Sequence, residues 1–251
     1  MEKNGENRYL FIDGLRGLAI VNMVVFHFLY DVYVVSGRDP GWYFLPGIRI
    51  WQQAICHTFI LVAGFVWRFG EKNSLRRGLF FHLCGALVSF VTWAALPKEA
   101  IRFGILSFMG SAVLLMILLH KCFQRIPAWA GLSASVACFA LLRNVQYGVV
   151  SIGGRMLWEI PKALYQMKVL APFGFPSPDF SSGDYFPILP WMFLFLAGYF
   201  LYPLLERREA WRRTARRRIP LLCAIGQKSI WIYLIHQPVC MGVCLLLGKI
   251  R

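Results

Sequence analysis

The chain has 251 residues, of which 58% are hydrophobic and only 16% are charged, and its formal net charge is +15. Soluble domains carry roughly 25% charged residues, so this composition excludes an ordinary soluble domain and indicates lipid-facing helices of about 20 residues each. The seven cysteines are odd in number and none forms a CxxC pair, which argues against a disulfide framework and against a metal site.

Apolar segments recur along the whole chain and predict its fold class: an all-α, polytopic membrane helix bundle of about seven transmembrane helices. In chain order the segments cover residues 10–34, 50–68, 78–96, 101–120, 128–147, 185–205 and 221–247. We expect the first of them to remain in the protein as an anchor and not to be removed as a signal peptide. The whole chain, 1–251, is predicted to form a single transmembrane domain.

The basic residues predict the orientation of this bundle. Lys and Arg are more numerous in the segments on the N-terminal side of the membrane, especially in the arginine run from Arg207 to Arg218. Because cytoplasmic loops carry an excess of Lys and Arg, the N-terminus is predicted to be cytoplasmic and the C-terminus to lie outside. The charge therefore indicates topology and not nucleic-acid binding. The longest connection, 148–184, is then an outer loop, and a loop of this length is typically either functional or disordered.

The first segment, FIDGLRGLAIVNMVVFHFLYDVY, contains the ionisable residues Asp13, Arg16, His27 and Asp31. At about 100° per residue, the four fall within an arc of about 60° around a helix. An ionisable group near the membrane centre costs about 2.5–3.5 kcal/mol, so the stripe is expected to face a polar interior. Asp31 follows His27 by one turn, where a carboxylate can hydrogen-bond one imidazole nitrogen and leave the other as a base. The alternative, that these residues only hold helices together, remains open.

Further polar residues lie in apolar surroundings: His57 in the second segment, Asp184 and Tyr185 at the start of the sixth, and His236 in the last. A lone histidine in a membrane helix is usually an interhelical hydrogen-bonding group, but together these residues indicate a shared polar centre. The Walker A, GxGxxG, HExxH and GxSxG motifs are absent from the sequence.

Five motifs in order carry a resemblance to a known family: IDGLRGLAIVNMVVFHFLYD, HTFILVAGF, IRFGILSFMG, DYFPILPW and IGQKSIWIYLIHQP. From about Arg8 to Pro238 the chain resembles the heparan-alpha-glucosaminide N-acetyltransferase catalytic family. The first motif also resembles the wider membrane acyltransferase superfamily, in which an Arg or Lys is followed by ten residues and then a His, as Arg16 and His27 are here. Ser107 departs from the pattern, because many relatives have His at that position.

The resemblance implies transfer of an acetyl or other acyl group from cytosolic acyl-CoA to an acceptor at the outer face, typically an amino sugar or a glycan. In this interpretation His27 is the catalytic base, Asp31 orients it, and Arg16 and Asp13 lie where the donor binds. His27 either deprotonates the acceptor or accepts the acyl group itself, and the sequence leaves both routes open. The residues expected near the acceptor, in contact with it or behind those that are, are His57, Asp184, Tyr185, Trp191 and His236.

The expected donor is acetyl-CoA, with no metal and no nucleic acid involved. The expected partners are the glycan or amino-sugar acceptor and the lipid bilayer, with a homodimer left open, and the expected location is a prokaryotic inner membrane. Two other functions fit the same polar residues. In a proton-coupled transporter they form a proton relay, and in a non-catalytic assembly protein they join helices.

Overall fold

The computed structural model describes residues 9–217 and 219–248, and most of them are helical. The helices are α1 Leu10–Tyr30, α2 Pro46–Phe65, α3 Ser74–Ala95, α4 Ile105–Phe123, α5 Ala128–Leu142, α6 Ile188–Glu206, α7 Glu209–Ala215, α8 Pro220–Gln227 and α9 Ser229–Leu246. Each predicted segment contains helix, which confirms the all-α membrane class. Residues 1–8 of the predicted cytoplasmic terminus, Arg218 of the arginine run and the C-terminal residues 249–251 lie outside the described residues.

Within the described residues, six helical segments are long and apolar enough to cross a membrane. They are Leu10–Val35, Trp67–Ala95, Ile105–Phe123, Ala128–Tyr147, Ile188–Glu206 and Ser229–Leu246. Helix α2 is not among them because Arg49, Gln52, Gln53 and His57 make its first half polar. A count of about seven spans and a cytoplasmic N-terminus therefore stay predictions.

Two regions differ in detail from the prediction: the outer loop and the last apolar segment. The predicted outer loop contains an antiparallel hairpin, with β1 at Val149–Ile152 and β2 at Arg155–Glu159. Gly153 and Gly154, both with positive φ, form its tight turn, a conformation that glycine adopts without steric cost. The last predicted segment is divided into α8 and α9, which meet at Lys228.

The chain forms two compact units, the first of residues 1–62 with 206–251 and the second of residues 63–205. In the first unit α1 packs along α8 at backbone distance. A Cβ atom on Gly17 would collide with the carbonyl oxygen of Leu222, and one on Gly226 would collide with that of Asp13. Glycine is required at both positions because small residues let membrane helices approach closely. The division into two units leaves the single domain over 1–251 a prediction.

In the second unit, α3 packs along α4, and α6 supplies much of the buried core. Gly64, near the end of α2, approaches α6 so closely that a Cβ atom there would collide with the carbonyl oxygen of Phe195. Phe195 and Tyr199 are fully buried, so this part of α6 is surrounded by protein and not by lipid.

Candidate active site

The first unit brings together two histidines that the sequence separates by more than 200 residues. The ring centroids of His27 on α1 and His236 on α9 are 4.8 Å apart, and their planes are tilted by 59°. Nδ1 of His236 hydrogen-bonds to the carbonyl oxygen of Tyr233, one turn earlier. A carbonyl only accepts, so Nδ1 carries the proton and Nε2 has the lone pair. That Nε2 atom is buried without a hydrogen-bond partner among the described residues.

The two histidines differ in access. His236 is 8% exposed, whereas His27 is only partly buried. The backbone around His27 is fixed by its neighbour Phe26, whose ring contacts those of Trp42 and Trp51. Helix α1 is therefore held by aromatic packing at Phe26, while His27 itself is only partly buried.

Asp31 is fully buried, but it does not hydrogen-bond to His27 as the one-turn spacing suggested. Its Oδ1 atom accepts a 2.9 Å hydrogen bond from the side-chain amide of Gln237, the residue after His236. Its Oδ2 atom has no hydrogen-bond partner among the described residues. The spacing along α1 says nothing about donors on other helices, and the Gln237 amide on α9 competes with His27 for Asp31.

The end of α1 departs from regular helix at the same place. Asp31 begins a π-helical turn, Asp31–Val35, in which the N–H of Ser36 bonds to the Asp31 carbonyl five residues back. Such turns are rare and occur frequently at functional sites. Asp31 is thus a buried carboxylate at an irregular turn, tied to the helix that carries His236.

The N-terminal end of α1 carries the second predicted group. Nη1 of Arg16 lies 3.9 Å from Oδ1 of Asp13, and the side-chain amide of Gln227 donates to Oδ2 of Asp13 at 3.5 Å. Asp13 is nearly buried, whereas the Arg16 side chain is 30% exposed, so Asp13 orients a guanidinium that solutes can reach. Arg16 and His27 are eleven residues apart, which corresponds to about 16 Å along a helix axis.

His57, the remaining predicted residue of the first unit, lies in the middle of α2 and is partly buried. Its assignment to the acceptor region stays a prediction.

Three predicted residues belong to the second unit, where they surround the start of α6. Oδ2 of Asp184 accepts a 3.3 Å hydrogen bond from the N–H of Ile105, the first residue of α4. The Tyr185 hydroxyl donates to the carbonyl oxygen of Ala171, and burial raises the pKa of that hydroxyl. Trp191 packs against neighbouring aromatic rings, those of Phe139 and Phe186.

Burial raises the pKa of Asp184 from 3.8 to about 6, while the hydrogen bond from Ile105 acts in the opposite direction. Because the folded-state pKa lies above the unfolded one, the favourable contribution to stability is complete below about pH 4. It is lost as the pH rises through 6. The ionised carboxylate therefore destabilises the protein at neutral pH, which is typical of a group retained for function.

We expect Asp184→Asn to raise the unfolding midpoint by several degrees at pH 7.5 and to leave it unchanged at pH 4, because the amide removes the buried charge and can still accept from Ile105. Thermal unfolding in detergent at the two pH values measures this. The control is Asp179→Asn. Hydrogen bonds from Ser177 and Lys168 lower the pKa of that exposed carboxyl to about 2, so the pH-dependent gain should not appear. If Asp184→Asn raised the unfolding midpoint equally at both pH values, the ionised carboxylate would not be the cause of the destabilisation.

Gln237 is the site residue that the sequence reasoning missed. It is the middle residue of the tripeptide HQP that ends one of the five motifs, and that position is the signal that could have identified it. No group of three or more His, Cys, Asp or Glu side chains that could hold a metal ion occurs in the described part of the chain.

Comparison with known proteins gives one result. The family model described as heparan-alpha-glucosaminide N-acetyltransferase, catalytic, matches residues 8–238, which include all five motifs and both histidines of the pair. No curated protein and no solved structure gives a significant match.

Proposed function

The chain belongs to the heparan-alpha-glucosaminide N-acetyltransferase catalytic family, and from that premise we propose that it transfers an acetyl group from acetyl-CoA to an amino sugar or glycan, with His27 as the general base. Membership makes the chain an integral membrane protein of an acetyltransferase family. The donor, the acceptor, the side of the membrane and the residue roles are our proposal.

The observation that carries the proposal is the His27–His236 pair. A partly buried imidazole beside a second, buried imidazole with a free lone pair is suited to taking up and holding a proton. Packing alone does not explain a buried nitrogen without a hydrogen-bond partner, because an unsatisfied buried polar atom lowers the stability of the fold. The pair therefore supports proton transfer over a purely structural role.

The reaction balances with one base. His27 removes a proton from the acceptor amine as its nitrogen attacks the thioester carbonyl carbon. A C–N bond forms, the C–S bond breaks, and the leaving CoA thiolate takes the proton from His27. The products are an N-acetylated sugar and CoA. With a hydroxyl acceptor the same steps give an ester. A route in which His27 first carries the acetyl group remains open.

We assign the donor to the cytosolic side. Arg16, oriented by Asp13, attracts the anionic nucleotide of CoA, because an accessible cation raises the local concentration of an anionic substrate. The separation of about 16 Å between Arg16 and His27 suits the long, thin pantetheine arm lying along α1. Asp31 and Gln237 hold α9, and with it His236, against α1.

We assign acceptor binding to residues that match sugar chemistry. The carboxylate of Asp184 can accept from sugar hydroxyls, Trp191 offers an aromatic surface to a sugar face, and Tyr185 offers a hydroxyl. His57 is assigned to the surroundings of the acceptor. A prokaryotic inner membrane is the proposed location, and a homodimer is the assembly to be tested.

Purified protein incubated with acetyl-CoA carrying a radiolabelled acetyl group tests this proposal. We expect release of CoA to depend on added glucosamine, and the label to appear in N-acetylglucosamine. Label retained on the protein before acceptor is added would establish the acyl-enzyme route. Failure to bind any acyl-CoA, together with proton-coupled solute uptake in liposomes, would replace the enzyme by a transporter.

A further inference from the structure

The second unit contains a buried polar group that the proposed reaction does not use. Trp67 and Arg68 begin the 3₁₀ segment Trp67–Asn73, which connects α2 to α3. Trp67 is fully buried, and its ring centroid lies 5.1 Å from that of His120 in the last turn of α4 and 6.0 Å from that of Tyr199 on α6. Three elements of one unit thus bring an indole, a guanidinium and an imidazole to the same place.

The guanidinium in this group has no carboxylate partner among the described residues. Nη2 of Arg68 donates to the Tyr199 hydroxyl at 3.2 Å, and its Cζ atom lies 4.7 Å from the centre of that ring. The nearby carboxylate, that of Glu71, lies 3.0 Å from Nε2 of His120 instead. Arg68 forms no ion pair with the described residues, although its side chain is partly withdrawn from water. A half-buried guanidinium without a carboxylate partner can take an anion as its counter-ion.

Three nitrogen atoms of the group are buried and have no hydrogen-bond partner among the described residues. They are Nε1 of Trp67, Nε of Arg68 and Nδ1 of His120. The indole nitrogen of Trp67 and the guanidinium nitrogen of Arg68 can only donate. Two buried donors on consecutive residues, both without a partner among the described residues, can be satisfied by a ligand with several acceptor oxygens.

The surrounding charge selects among such ligands. The start of α3 carries Arg76 and Arg77, and Lys121 follows His120. A water molecule would satisfy the donors without neutralising Arg68. A phosphate group satisfies both requirements, because it offers more acceptor oxygens than a carboxylate and matches the planar fork of arginine.

We infer that Trp67, Arg68 and His120 form a binding site for a phosphate group in the second unit. This site is separate from the assigned role of Arg16, and it does not depend on acetyl transfer being the reaction. The phosphate belongs either to a soluble ester such as CoA or to a phospholipid headgroup at the membrane surface. Both present the same oxygens to the same donors.

The test uses full-length protein in nanodiscs of phosphatidylcholine, with two probes. Equilibrium binding of radiolabelled CoA is compared with that of 3′-dephospho-CoA, and native mass spectrometry measures retention of phosphatidic acid. The test variant is Arg68→Gln. A second variant, Arg68→Lys, keeps the positive charge but lacks the planar guanidinium that can donate two hydrogen bonds to one phosphate. Lys72→Gln is the matched control, since it removes one positive charge from the same segment at an exposed side chain.

We expect Arg68→Gln to weaken one of the two probes by about 10- to 100-fold, Arg68→Lys to weaken it less, and Lys72→Gln to change it by less than about threefold. Loss of CoA binding identifies a soluble ester, and loss of the phosphatidic acid adduct identifies a lipid. If Lys72→Gln weakens binding as much as Arg68→Gln, or if neither probe binds the wild type, the site does not exist. Unchanged melting of the Arg68 variants separates lost binding from misfolding. If CoA binds the wild type and Arg68→Gln changes neither probe, this site is rejected while the His27 chemistry stands, because that chemistry is read from turnover.

Discussion

Replacing His27 by alanine should lower the rate of acetyl transfer by about 10²- to 10⁴-fold, which is the range that general bases contribute. The acceptor amine or hydroxyl would then have no positioned base during its attack on the thioester. Acetyl-CoA binding should remain within a few-fold of that of the wild type, because the donor's charged end is assigned to Arg16 and not to the imidazole. Single-turnover rates and equilibrium binding of acetyl-CoA, measured on the same preparation, separate these effects.

His82→Ala is the matched control for this variant. His82 also lies in a helix of the membrane region, where its Nε2 atom is 3.5 Å from the Ser111 hydroxyl, but it belongs to α3 and has no part in the proposed reaction. We expect near wild-type transfer from His82→Ala, provided that the variant folds. A folded His27→Ala protein that retained full activity would refute the assignment of the base. Equal losses in the two variants would indicate damage to the bundle and not loss of chemistry.

The polar stripe on α1 could be predicted from the sequence because one helix has a fixed geometry. Asp13 and Arg16 do interact across one turn, and Asp13 and Asp31 are buried as a polar-facing stripe requires. The partners of the stripe could not be predicted in the same way. His236 and Gln237 are brought to α1 by the packing of α9, and helix phase alone does not specify which helices become neighbours.

The helix bundle itself follows from hydropathy, but three local features do not. The break at Lys228 lies inside a continuous apolar segment, so an apolar window covers α8 and α9 together. The hairpin after α5 consists of strands of only four and five residues, too short for a reliable alternating pattern. The π-helical turn at Asp31 depends on a change in backbone hydrogen bonding that side-chain periodicity does not reveal.

The cluster at Arg68 shows a different limit of sequence reasoning. In the sequence, Arg68 is one basic residue among several and stands at the end of the second apolar segment. Its contacts with Tyr199 and its place beside Trp67 distinguish it from exposed neighbours such as Lys72. Charge patterning gives the side of the membrane, but only the packing of α4 and α6 shows which cation is enclosed.

Replacing His236 by phenylalanine should lower transfer by about 10- to 100-fold, the effect of losing one hydrogen bond to a charged group. Phenylalanine keeps a ring against His27 and removes both nitrogen atoms. When His27 has taken a proton from the acceptor, the lone pair on Nε2 of His236 provides an acceptor for it at a ring separation of 4.8 Å. Such contacts often tighten only when substrate is bound.

A double variant distinguishes this positioning role from simple packing. If His236 acts through His27, its replacement matters little once His27 is gone, and the His27→Ala/His236→Phe protein should transfer acetyl within about threefold of His27→Ala alone. Independent packing defects would multiply instead. Cys240→Ala is the control for disturbed contact between α9 and α1, because the buried Cys240 lies one turn after His236 and its thiol faces the carbonyl of Val24. We expect Cys240→Ala to lower the transfer rate only slightly, and its effect should multiply with that of His27→Ala. The effect of His236→Phe should not multiply with that of His27→Ala.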